Sequence, residues 1–299
     1  GTVEVNDYTI NALLDPPSFT YFRKPFKKGT VSNTRYLEVA IKDETKKLTW
    51  MFRHIEPVSI PDAIYNAAEN NSKIASGTLI GRVAAWIQPV LPEKENYDHI
   101  HIEIEDEEGN YINPADYLQI DKDYYPPVCK ELYVLNVNTN RAYAYSTDNE
   151  KLLSDKVKLY ILANDRMNSS RYLHSLHSVK WSFVKINNQG KDEIVIPEKT
   201  VFNFDRLPFK GDRTQLSKTI YEDSLRINGL GTSRVRANGS NGPRIFLINL
   251  NSGTSKEGYS NDNILDTSNF ENGNYKLQLL IQDLSLNKRE KTYLFRIKN

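Results

Sequence analysis

Hydrophobic and polar residues alternate over short segments along most of the chain, and this period of two predicts β-strands. The clearest segments are Tyr36–Ile41, Leu48–Phe52, Val157–Leu162, Tyr275–Ile281 and Thr292–Ile297. The pattern predicts one helix, from Ile60 to about Asn70, opened by Pro61 and Asp62. Short strands separated by polar turns are typical of β-sandwiches and barrels, so we predict an all-β fold.

The length of 299 residues predicts two domains, because one ordinary core does not extend over so long a chain. Two prolines in the segment Tyr124–Pro127 cannot continue a strand ladder and mark the boundary. We therefore predict one domain at 1–123 and a second at 128–299. The second reads as short strands between Asn-, Gly- and Ser-rich loops, which predicts an immunoglobulin-like β-sandwich.

Composition narrows the classes of function. The chain carries 39 Lys and Arg against 38 Asp and Glu, a balance that argues against a nucleic-acid partner. No apolar run is long enough to span a bilayer, so no transmembrane segment is predicted. The single cysteine, Cys129, excludes an intramolecular disulfide and a multi-cysteine zinc site, and we expect a buried thiol.

The most informative segment is Asp98–Glu105, in which polar and isoleucine residues alternate strictly. As a strand it would have one polar face, formed by His99, His101, Glu103 and Glu105. The opposite, apolar face would be formed by Ile100, Ile102 and Ile104. The two imidazoles would lie about 7 Å apart at Cα, so one could bind a metal while the other addresses a substrate or a water. An exposed edge strand that carries two histidines by chance would give the same pattern.

The surrounding motifs add a family resemblance. One stretch resembles the closing motif of the lysostaphin/LytM family of zinc metallopeptidases. It consists of the strand that starts at His99, a turn at Glu108–Asn110, and the segments Tyr111–Pro114 and Tyr117–Leu118. Upstream, Trp50–Ile55 resembles that family's strand with an aromatic residue followed by His-Leu. Ile74–Gly81 is similar to the segment of that family in which a glycine is followed by Ile-Gly before the active-site strand. The resemblance covers Gly1 to Leu118 and implies an antiparallel β domain.

This resemblance implies roles for three histidines. His101 would be a zinc ligand, while His99 and His54 would flank the metal, orient or deprotonate the attacking water and stabilise the oxyanion. Zinc lowers the pKa of its water and polarises the scissile carbonyl. Substrates of the family are peptide cross-links of bacterial peptidoglycan, often with glycine at the cut. They imply a protein that is secreted, periplasmic or in the bacterial cell envelope.

The chain also departs from the family pattern. The family's other two ligands come from a His-x-x-x-Asp motif, and no histidine precedes His54. Gly1–Val3 resembles the hairpin that follows that motif, so we expect the sequence to begin after it or to have lost it. His101 helped by His99 would supply at most two imidazoles, which predicts weak zinc binding and no appreciable peptidase activity. Glu103 is expected to orient an imidazole.

Three functions remain open at this stage. The first is a zinc endopeptidase of cell-wall peptides, and the second is a non-catalytic family member that binds the wall or regulates another wall hydrolase. The third is an adhesin or structural module built on the C-terminal sandwich. Other candidate sites are predicted to be inert: His174 and His177 at the surface, Asp121 and Asp123 as solvated charges, and Gly229–Arg234 as a loop.

Overall fold

The structure, a computed structural model, describes residues 1–10, 21–30, 36–85, 98–168, 173–187, 191–207, 219–222, 224–226, 234–236, 246–255, 258–260 and 264–299. The chain forms two compact units. Unit 1 comprises Gly1–Leu118 and Arg206–Thr214; unit 2 comprises Gln119–Asp205 and Gln215–Asn299. The division falls at Leu118, earlier than the predicted limit at residue 123, and the chain returns to unit 1 at Arg206.

Strands dominate both units, which confirms the all-β fold. The strands in chain order are β1 (Thr2–Ile10), β2 (Tyr21–Pro25), β3 (Leu37–Asp43), β4 (Leu48–Ile55), β5 (His101–Asp106), β6 (Tyr111–Ile112), β7 (Val128–Asn136), β8 (Arg141–Ala144), β9 (Leu152–Leu153), β10 (Lys156–Asn164), β11 (Ser178–Ile186), β12 (Asp192–Asn203), β13 (Arg206–Leu207), β14 (Ser224–Arg226), β15 (Arg234–Arg236), β16 (Phe246–Asn249), β17 (Gly253–Ser255), β18 (Gly258–Ser260), β19 (Leu265–Asp266), β20 (Gly273–Gln282) and β21 (Lys288–Ile297). The helical elements are α1 (Asp62–Glu69) and the 3₁₀ helices Pro57–Ser59, Pro114–Asp116 and Thr267–Asn269.

The predicted elements are present because their signals are local. Each of the five predicted strands lies in β3, β4, β10, β20 or β21, and the predicted helix is α1. None of the helices in the described residues is long and apolar enough to span a membrane.

Unit 1 is built on one antiparallel sheet with the strand order β13-β6-β5-β4-β3-β1-β2. Helix α1 covers one face and buries Ile64 against β1 and β3. Along β3, Leu37 and Val39 point into this core, and Glu38 between them points to the opposite face. The opposite face therefore carries the polar residues of the central strands.

The two larger sheets of unit 2 have five strands each, in the orders β16-β10-β7-β8 with β19 beside β10, and β12-β11-β20-β21-β9. The pairs β14-β15 and β17-β18 form two small sheets of the same unit. Both larger sheets contribute to one hydrophobic core: Leu159 and Ile161 come from the first sheet, and Phe183 and Leu279 from the second. Two sheets that share a core form a sandwich. Cys129 is buried in it, and burial raises the pKa of its thiol, in agreement with the predicted buried cysteine.

Two predictions about inert residues in unit 2 are wrong. Asp123 is only 1% exposed, so it is not a solvated linker charge. His174 is exposed, but His177 is buried and its Nε2 lies 2.8 Å from Asp205 Oδ1, because this side chain turns inward beside β11. The predicted loop at Gly229 lies outside the described residues.

Candidate metal centre

Three histidines of unit 1 converge on the polar face of the sheet. The ring centroid of His54 lies 4.7 Å from that of His99 and 4.4 Å from that of His101. The Nε2 atoms of His99 and His101 are 3.2 Å apart. One ring nitrogen of each histidine lies within 4.8 Å of the others, so all three can address one ion. The convergence predicted from sequence is confirmed.

His54 reaches this cluster through an unusual backbone conformation. Strand alternation along β4 would place it with Phe52, on the face opposite to Arg53. Its φ is 68°, and the pairing of β3 with β4 is irregular between Leu37 and Val39. The left-handed conformation breaks the alternation and turns the imidazole towards His101. Such conformations are uncommon for residues with a Cβ and concentrate at functional sites.

A loop beside the end of β4 holds this backbone in place. The Ala84 amide donates a hydrogen bond to the His54 carbonyl at 2.8 Å, and the Glu56 amide donates to the Arg82 carbonyl at 2.9 Å. The loop approaches closely at Gly81, where an added Cβ would lie 2.5 Å from Ile55 Cγ2. Gly81 has a φ of 144°, which favours glycine. The loop from Gly81 to Ala84 therefore supports the position of His54.

His101 and His99 approach from the neighbouring strand. His101 is the first residue of β5 and pairs with Arg53 of β4, whereas His99 precedes the strand. The strand predicted over Asp98–Glu105 is therefore shorter at its start, although Ile104 is fully buried as expected. His54 is buried, His99 is half-buried and His101 is exposed, so the cluster is open to solvent at His101.

A buried ion-pair network supports the cluster from below. Arg53, 2% exposed, donates from Nε to Glu38 Oε2 at 2.7 Å and from Nη1 to Glu103 Oε1 at 2.6 Å. Glu38 also pairs with Arg23, whose Nε lies 3.1 Å from Oε1. The sequence predicts that Glu103 orients an imidazole. In the structure its carboxylate accepts a hydrogen bond from Arg53, next to His101 on β5. Arg53 and Glu38 were missed, because their only sequence signal is a charge between strand residues.

The environment favours neutral imidazoles. Burial, followed by repulsion from His101 and His99, lowers the pKa of His54 to about 4. Loss of solvent around the ring and repulsion from His99 lower the pKa of His101, and Glu103 acts in the opposite direction. Although His101 is exposed overall, its Nε2 faces that of His99. Neutral imidazole is the form that binds a metal, so protons compete weakly at this cluster.

The lowered pKa of His54 predicts a pH-dependent stability. Between about pH 4 and 6.5 the unfolded chain binds a proton at this histidine and the folded chain does not. The free energy of unfolding therefore falls as the pH is lowered through this window. His54→Asn should reduce this loss, because asparagine accepts a left-handed backbone but does not titrate. Urea denaturation at pH 4.5 and 7 measures the difference between variant and wild type.

The matched control is His174→Asn, which removes an exposed imidazole of unit 2. Its stability should follow the wild-type pH dependence. If His54→Asn and His174→Asn change that dependence equally, the buried imidazole of His54 is not its source.

The geometry of the cluster fits a zinc ion. In a tetrahedral site with Zn–N bonds of about 2.0–2.1 Å, neighbouring nitrogens lie about 3.3 Å apart. The 3.2 Å between His99 Nε2 and His101 Nε2 agrees with that spacing. The sequence predicts at most two imidazoles for zinc, and the left-handed turn brings a third, His54, within reach of the same point. The number of imidazoles that bind zinc stays a prediction. The cluster could thus hold an ion at one of these imidazoles with the other two beside it.

Comparisons with known proteins give one partial similarity. No family model matches the chain, and no solved structure matches it. Protein VP3 of Rotavirus A, in two strains, is 30% identical over 129 residues, which are 42% of this chain. The matched stretch is about 15% of the length of VP3.

Proposed function

We propose that unit 1 is a zinc-dependent domain of the lysostaphin/LytM type that acts on peptides of the bacterial cell wall. The observation that carries this proposal is the convergence of His54, His99 and His101 at one point of the sheet. The same three histidines have roles at the metal in the family that the sequence resembles. The proposal places the protein outside the bacterial cytoplasm, as a secreted, periplasmic or envelope protein.

Each of the three histidines has its own role in the proposed reaction. His101, the most exposed of the three, would hold the zinc, which supplies an acidified water and a polarised carbonyl when bound. The half-buried His99 is close enough to orient a water and accept its proton. His54 is held by its backbone and by the ring of Tyr36, which stacks on it with the two ring centroids 4.9 Å apart. Its imidazole can donate a hydrogen bond to a developing oxyanion.

Two assays with purified peptidoglycan and a glycine-rich peptide test this function. New amino groups should be released in the presence of zinc, and release should stop with a chelator and in His99→Ala. His174→Ala should behave as wild type, since that histidine lies in unit 2. Release that persists in His99→Ala would contradict the assigned role of His99.

A second proposal is a non-catalytic domain that binds wall peptides or another wall hydrolase. It rests on the same sequence resemblance and needs no complete set of zinc ligands. Co-sedimentation with peptidoglycan without amino-group release would favour this proposal over the first. The absence of both co-sedimentation and release would contradict both.

A further inference from the structure

Unit 2 contains a second cluster of potential metal ligands, made of three buried aspartates. One carboxylate oxygen from each of Asp123, Asp165 and Asp283 lies within 4.8 Å of the other two. Asp123 and Asp283 are each 1% exposed and Asp165 is 4% exposed. Buried carboxylates are costly unless they are paired or bind a cation, so this cluster requires an explanation.

Two of these carboxylates have an oxygen left over. Asp123 Oδ2 and Asp165 Oδ1 are buried and accept no hydrogen bond from the described residues. The carboxylates also repel one another, because three acidic side chains lie close together in a buried place. A bound cation would satisfy both the oxygens and the charge.

Hydrogen bonds connect the three segments that carry the aspartates. Asp123 Oδ1 accepts hydrogen bonds from the amides of Tyr125 at 3.1 Å and Asn168 at 3.0 Å. The Asp123 amide donates to Ser285 Oγ at 3.1 Å, and Asn287 Nδ2 donates to the Asp123 carbonyl at 3.0 Å. The carboxylates therefore meet in a defined arrangement, where the start of unit 2 joins the end of β10 and the turn between β20 and β21.

We infer that Asp123, Asp165 and Asp283 form a Ca²⁺ site that fastens the start of unit 2 to its sandwich. Calcium takes oxygen ligands at about 2.3–2.6 Å, so ligands on opposite sides of the ion lie up to about 5 Å apart. The three aspartates offer carboxylate oxygens within 4.8 Å of one another, which is the ligand type that calcium takes. Magnesium demands near-ideal octahedral geometry and usually keeps several waters, whereas calcium accepts irregular oxygen sites, and zinc is most often held by nitrogen and sulfur ligands.

Calcium titration of the full chain tests this site. After chelator treatment, calorimetry with CaCl₂ should show one site per chain with a Kd below about 1 mM. Excess Ca²⁺ should raise the melting temperature of unit 2 by about 5 °C, and MgCl₂ should raise it less. Absence of both the binding heat and the shift would overturn the proposal. An equal effect of MgCl₂ would overturn the assignment to calcium.

Two single-charge variants make the test specific. Asp165→Asn should weaken calcium binding at least about 10-fold and abolish most of the temperature shift. In chelator it should melt no lower than wild type, since it removes a repelled charge, and this result shows that the variant folds. Asp121→Asn, which removes an exposed carboxylate from the same segment as Asp123, should bind calcium as wild type. Equal losses in both variants would overturn the site.

Discussion

Replacing Arg53 by Met is expected to destabilise unit 1 by about 3–5 kcal/mol, because it breaks a buried ion pair from one side. The Glu38 carboxylate is fully buried and receives the Arg53 guanidinium at 2.7 Å. Without Arg53 it keeps the partly exposed Arg23 and loses its buried partner. Hydrogen–deuterium exchange of peptides from β3, β4 and β5 in increasing urea measures the effect in unit 1 itself.

The control is an exposed ion pair of the same unit. Lys73 Nζ lies 2.6 Å from Glu44 Oε2, with the two side chains 65% and 55% exposed. Lys73→Met should change stability far less, since water and salt screen this pair. The double variant Glu38→Gln/Arg53→Met should recover part of the loss, because it also removes the buried Glu38 carboxylate that lost its partner. Equal effects of Arg53→Met and Lys73→Met would show that the buried network does not hold the sheet together.

Replacing His101 by Ala is expected to weaken zinc binding at least about 100-fold. The loss of residues that only support a metal ligand already costs about 10–100-fold in affinity, so loss of a ligand should cost more. His101 is also the imidazole nearest to solvent, with its Nε2 aimed at His99. Calorimetry of the metal-free chain with ZnCl₂, or competition with a zinc-sensitive dye, measures the change.

His174→Ala is again the matched control, because it removes an exposed imidazole from unit 2 and should leave zinc affinity unchanged. His99→Ala should lie between the two if His99 contacts the metal through a water. Tight binding that survives in His101→Ala would place the zinc elsewhere and contradict the role assigned to this histidine.

The elements that were predicted correctly are those whose signal is local. The alternation in Tyr275–Ile281 and the Pro61–Asp62 start of α1 each lie within one element, and the fold follows them. The proximity of His99 and His101 was likewise set by a spacing of two residues. The orientation of His54 could not be predicted, because it depends on a left-handed φ and on an irregular pairing with β3.

Contacts between distant segments were beyond the reach of sequence patterns. Asp123, Asp165 and Asp283 lie in three separate segments of the chain, and no short motif relates them. Asp123 in isolation looked like a solvated charge because its partners lie far along the chain. The Arg53–Glu38 pair was missed for the same reason: both residues lie in strands whose alternation predicts polar exposure, and only the sheet shows that they bury each other.

The most direct test of the three-histidine metal centre is a crystal of the zinc-loaded chain measured on both sides of the zinc absorption edge. We expect one anomalous peak among His54, His99 and His101, about 2.0–2.1 Å from a ring nitrogen of His101. Zinc at His174 or His177 instead, or no peak at the cluster under saturating zinc, would contradict the account.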